Sequence, residues 1–151
     1  MTGAAPYLIL AMHTLATAMM FGVIWTVQVV HYPLFLRVPA PEFPSFERDH
    51  MRRIGWIVGP SMLLELAGAI AILAWSAALG VSMGLAGIGA ALVLVVWVST
   101  ALVQGPIHRR LAHGMDAALI RRLIATNWVR TGAWSARMVI AILMMAGTRE
   151  A

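Results

Sequence analysis

The stretch Phe46-Glu47-Arg48-Asp49-His50-Met51-Arg52-Arg53-Ile54-Gly55-Trp56 changes character at Ile54. Before Ile54 nearly every second residue is charged. After it, Glu65 is the only charged residue until Arg109. Working outward, this stretch and Arg37 lie in the connection between a first and a second apolar run. A second basic connection, with Arg109, Arg110, Arg121, Arg122 and Arg130, separates a third run from a fourth. The opposite connections, Met1–Pro6 and Ser76–Ser82, carry no charged side chain. Basic residues gather on the cytoplasmic side of membrane helices. The reading is an all-α integral membrane four-helix bundle in the cell inner (cytoplasmic) membrane. Both termini are expected on the periplasmic side and both basic connections in the cytoplasm.

Composition agrees. Hydrophobic residues make up 61% of the 151 residues and charged ones 11%, where a soluble domain has about 25% charged. The net charge of +5 is confined to short connections, so it reads as membrane topology and not as a nucleic-acid interface. The chain has no cysteine, which excludes disulfides, thiolate nucleophiles and cysteine metal sites. The run from Tyr7 to Val30 is too long for the core of a cleaved signal peptide and lacks a basic leader. It reads as a retained helix.

A span needs about 20 apolar residues. Four segments qualify, at 6–31, 55–75, 83–104 and 128–147, in one transmembrane domain. The connections 33–54 and 105–127 begin with prolines and continue at helical spacing, which predicts an amphipathic surface helix in each. The halves resemble each other. His31-Tyr32-Pro33 ends the first span and Gln104-Gly105-Pro106 the third. His50, Arg53 and Gly55 mark the beginning of the second as Asn127, Arg130 and Gly132 mark that of the fourth. Two helical hairpins related as an internal repeat would give this pattern. Gly55/Gly59 and Gly80/Gly84 read as helix-packing signals, and the six tryptophans as interfacial anchors.

Charge within a span needs a protein partner. Glu65 and Arg137 lie at similar depth in the second and fourth spans, so an ion pair is the simplest way to bury both. A role for Glu65 as proton acceptor or ligand is the alternative. His13 and His31 are five helical turns apart on one face of the first span, with Thr17 and Met20 between. His13 reads either as a hydrogen-bonded core residue or as an axial ligand to a cofactor. At the cytoplasmic end, Gln28, His31, Gln104 and His108 sit at span exits, and His50, Asn127 and Arg130 at span starts. If the spans bundle, these ends converge. Three histidines there suit acid–base chemistry near neutral pH or a metal ion. Otherwise they satisfy carbonyls freed by Pro33 and Pro106.

Trp25, Gln28, His31-Tyr32-Pro33-Leu34-Phe35, Pro106, His108, Leu111 and Asn127-Trp128-Val129-Arg130 resemble a family of small bacterial four-helix membrane proteins grouped with anthrone-oxygenase-like proteins. Many of its members carry asparagine where this chain has Gln104 and His108. Met12-His13 and Phe46 through Pro60 are similar, more distantly, to the haem-dependent protoporphyrinogen oxidase family. That resemblance implies a haem role for His13. The lysine of that family's third helix has no counterpart here, because the chain contains no lysine. Three functions emerge as expectations. The first is an oxidoreductase- or oxygenase-like protein with His31, His50, His108 and Gln104 at a polar site and Glu65 and Arg137 deeper, acting on a lipophilic substrate with haem, a metal ion or no cofactor. The second is a non-catalytic subunit of a larger membrane complex. The third is a small transporter that forms a homo-oligomer.

Overall fold

A computed structural model of the protein describes residues 5–147. The termini, assigned above to the periplasmic side, lie outside the described residues. Among the described residues six α-helices succeed one another: α1 (Ala5–Thr26), α2 (Tyr32–Leu34), α3 (Phe43–Ala74), α4 (Met83–Ser99), α5 (Gly105–Leu111) and α6 (Ala117–Gly147). A π-helical turn, Val27–His31, joins α1 to α2, and another, Thr100–Gln104, joins α4 to α5. The chain therefore runs as four rods, Tyr7–Arg37, Phe43–Ala74, Met83–Leu111 and Ala117–Gly147, each long and apolar enough to cross a membrane. The protein is an all-α, multi-pass four-helix bundle.

The rods hold 29 to 32 residues, about 45 Å at 1.5 Å per residue, against a hydrocarbon core of about 30 Å. The excess lies at the basic end, and this corrects the expected division into spans and surface helices. The charged stretch before Ile54 is the first three turns of α3. The stretch before Trp128 is the start of α6. Side-chain polarity changes along these rods while backbone hydrogen bonding continues. A stripe at i, i+4, i+7 keeps each extension packed: Phe43, Glu47 and His50 are buried in α3, and Leu123, Asn127 and Arg130 in α6. This recurrence moves the repeat by almost one turn from the sequence alignment, since Arg53 is exposed and Arg130 buried. His50, not Arg53, takes the place of Arg130.

Nor do Pro33 and Pro106 end their helices. A proline lacks the N–H donor and its ring collides with the carbonyl four residues back. A π-helical turn widens the ladder just before each ring. Tyr32 N–H donates to Val27 O, and Gly105 N–H to Thr100 O, both across five residues. Each proline then occupies the first turn of the next short helix, where a missing N–H costs little.

Each rod packs on two neighbours, α1 and α4 on α3 and α6, giving a square bundle. Its interior has three layers. Leu10, Ile72, Leu79, Val81, Ala86 and Met144 fill the uncharged end, where Gly80 (φ 67°) makes the turn and the Ser82 hydroxyl caps α4 by accepting from Leu85 N–H. Met20, Ile24, Met62, Val96, Ala133 and Trp134 fill the middle. Val27, Tyr32, Phe35, Phe43, Ile107, Leu111, Ile120 and Leu123 fill the basic end. Large apolar side chains such as Trp56, Leu64, Leu94 and Leu102 cover the outside, as a lipid environment requires.

Lipid is as apolar as leucine, so close packing and polar contacts hold such a bundle together. The expected glycine pairs do not serve this. A Cβ at Gly55, Gly59 or Gly84 would meet nothing within 4 Å. The close approaches are at Gly68, where a Cβ would lie 2.6 Å from His13 Nδ1, and at Gly89, where it would lie 3.2 Å from Met144 Cε. Trp134, read as an interfacial anchor, is wholly buried, whereas Trp56, Trp75 and Trp128 are exposed.

Candidate functional site

The prolonged rods bring the polar residues of the basic end together. The π-helical turn Val27–His31 sets two consecutive side chains to different tasks. His31 turns toward α3, where its Nε2 lies 2.9 Å from His50 Nδ1. Tyr32 turns inward, where its hydroxyl lies 2.9 Å from His108 Nε2 on α5. His108 Nδ1 meets Glu47 Oε1 of α3 at 2.5 Å. Glu47 is fully buried. The rings of Phe35, Phe43 and Phe46 pack around this group. The His50 and His108 ring centroids are 5.4 Å apart.

Above this group lies a cavity of about 280 Å³. Met20, Ile24, Val27 and Val58 form its apolar walls. Tyr32, His50, Thr100, Gln104, His108 and the buried Arg130 form its polar side, and the exposed Arg109 also lines it. Arg130 Nη1 donates to Asn127 Oδ1 at 3.2 Å, and the guanidinium stacks on the Trp134 ring, 5.1 Å from its centroid. It lies beside the Tyr32 hydroxyl. Asn127 Nδ2 donates to Gln28 Oε1, and Gln28 Nε2 to Ile124 O. Gln104 accepts from Ser99 Oγ at 2.9 Å. These amides bond to side chains or to α6, not to carbonyls released by Pro33 and Pro106.

Deeper in the bundle, Arg137 and Glu65 form the expected pair. Arg137 Nη2 and Nε donate to Glu65 Oε1 at 3.0 and 3.2 Å, and Nη1 donates to Gly89 O at 2.8 Å. Trp134 Nε1 donates to the second carboxylate oxygen at 2.7 Å. Both residues are buried and neither lines the cavity. His13 lies elsewhere again, pressed against Gly68 with Nδ1 unpartnered. A macrocycle has no room at that nitrogen, so the residues present do not fit axial ligation through it. Nor do the histidines of the basic end fit a shared metal ion. His31 and His50 bond to each other, and both nitrogens of His108 are engaged. Among the described residues no three His, Asp or Glu are grouped to hold one. His113 is exposed, as its loop position predicts.

Of the residues singled out from sequence, the fold thus joins His50, His108 and Gln104 at one cavity, sets His31 outside it against His50, joins Glu65 to Arg137, and leaves His13 apart. Sequence reasoning passed over Glu47 and Tyr32. The available signal was register: Glu47 lies on the same helical face as Phe43 and His50, while its charged neighbours Arg48, Asp49, Arg52 and Arg53 are exposed.

In comparison with known proteins, no family model, curated protein or solved structure matches this chain.

Proposed function

We propose that the protein is an inner-membrane enzyme, its basic end in the cytoplasm, that moves a proton on a small lipophilic substrate. The observation that carries this reading is the Tyr32–His108–Glu47 chain ending at an apolar cavity. With Glu47 ionised, its oxygen accepts from His108 Nδ1–H. His108 Nε2 then accepts from the Tyr32 hydroxyl. When that proton passes to His108, the imidazolium is held by Glu47, and the Tyr32 oxygen becomes a base facing the cavity with Arg130 beside it. It takes a proton from an acidic C–H or O–H of the substrate, whose electron pair stays behind as an enolate or similar anion. The return of the proton to another atom completes an isomerisation. The same proton step would begin an oxygenase-like reaction that uses no cofactor. His50 and the part-exposed His31 offer a route for protons to the cytoplasmic surface.

Isotope exchange tests this without knowledge of the product. Protein in lipid nanodiscs is incubated in deuterated water with the lipophilic extract of a bacterial membrane, and the extract is analysed by mass spectrometry. One or more compounds should gain deuterium or change mass with the wild type, and roughly a hundredfold more slowly with Tyr32→Phe, His108→Ala or Glu47→Gln. Extracts untouched by a protein that demonstrably binds a lipophile would overturn the catalytic reading.

A further inference from the structure

Two arginines lie inside this bundle, both on α6, and only one has a counter-ion. Arg137 is neutralised by Glu65. Arg130 is 6% exposed and has no carboxylate within ion-pair distance among the described residues; the acids that are paired go to Arg52, His108 and Arg137. Its contacts are an amide, an indole face and a phenol, and its Nε has no partner at all. A buried cation of this kind is normally paired. Arg130 differs from Arg137 in position: it forms part of the cavity wall, opposite Met20, Ile24, Val27 and Val58.

Two hollows on the outside of the bundle share wall residues with the cavity. Ile54 and His50 belong to its wall and, on their other side, to a surface hollow of about 410 Å³ with Phe46 and Arg53. Ile54 and His31 also border an adjoining groove of about 550 Å³, which runs along Ala18, Gly22, Thr26 and Val30 of the first rod. This groove lies on the apolar outside of the bundle, where Met19, Val30 and Ile57 are exposed, so hydrocarbon is its natural occupant.

Building on the enzyme reading above, we propose that the cavity takes a single-tailed lipophilic oxyanion, of the carboxylate type. Its charged head pairs with Arg130 beside Tyr32. Its hydrocarbon tail passes Ile54 into the groove between the first rod and α3. The same pairing would hold the enolate oxygen that proton removal creates, because Tyr32 and Arg130 then face one atom group.

The test is equilibrium binding of radiolabelled palmitate and of its methyl ester to the protein in nanodiscs of neutral lipid. The wild type should prefer palmitate roughly ten- to a hundredfold, the range expected for a charged hydrogen-bonded contact. Arg130→Gln should bind the two equally, Arg130→Lys should keep part of the preference, and Val27→Trp, which fills the cavity from its apolar side, should bind neither. Equal binding of acid and ester by the wild type overturns the oxyanion inference and leaves the lipophilic cavity standing. Binding of neither overturns both. Palmitate preference that survives Val27→Trp places the acid elsewhere and also overturns it. Should Arg130→Gln fail to fold, the acid–ester comparison in the wild type and Val27→Trp still decides.

Discussion

Glu65 and Arg137 sit at a depth where an ionised side chain has no water to turn to, so each exists as a charge because of the other. Removing one member of a buried pair strands its partner, which costs about 3–5 kcal/mol in soluble proteins, whereas replacing both by apolar groups is often neutral. Glu65→Leu and Arg137→Met are each expected to lower bundle stability by about 3 kcal/mol, and the double variant to recover most of the loss. Unfolding in mixed detergent measures this cycle. A loss in the double variant equal to the sum of the two single losses would mean that the pair is not coupled. The pairing was legible in the sequence because both residues fall at one depth, well inside their spans, where no other charge lies. Glu47 was not, because an acid among arginines reads as part of a solvated run. Register with Phe43 and His50 separates Glu47 from Asp49, and tertiary packing then sets Glu47 on His108 while Asp49 touches Arg52 in the open.

At the scale of elements, hydropathy located all four rods but misplaced their ends. Pro33 and Pro106 looked like exits because a proline normally breaks the ladder. A π-helical turn has no signature in hydrophobic periodicity, so nothing in the pattern announced that these helices continue to Arg37 and Leu111. The same turn aims the site. One extra residue in the turn rotates every later side chain of the rod by about 100° relative to a plain α-helix. Deleting Val29 should restore α-helical register in the first rod and turn His31 and Tyr32 away from α3 and α5. The chain has no native cysteine, so His31→Cys with His50→Cys reports on this directly. A short bifunctional thiol reagent should link the pair in the full-length background and fail to link it after the deletion. Unchanged linkage would show that the turn does not direct these side chains.

For the whole molecule, the asymmetry of charge supports the orientation proposed above. Two turns are exposed at opposite ends of the bundle, with Ala40 near the arginines and Ala78 at the uncharged end. A membrane-impermeant maleimide should label Ala78→Cys in cells whose outer barrier has been opened, and Ala40→Cys only after the inner membrane is broken. The reverse pattern would invert the topology. Long rods also explain why the cavity lies where it does. Charged side chains begin on the basic side of Ile54, so the cavity has His50 on its charged side and Val58 and Met20 on its apolar side. A ligand can arrive through lipid and exchange protons with water at one place.

Trp134 has a further consequence. Its ring lies under the Arg130 guanidinium while its N–H holds Glu65, and it is the only fully buried indole of the six. The others sit at or near the surface, so the difference between the spectra of the wild type and Trp134→Phe isolates the one ring held between two interior charges. The molecule thus contains its own optical gauge of the local field, set between the cavity and the ion pair, and it needs no dye.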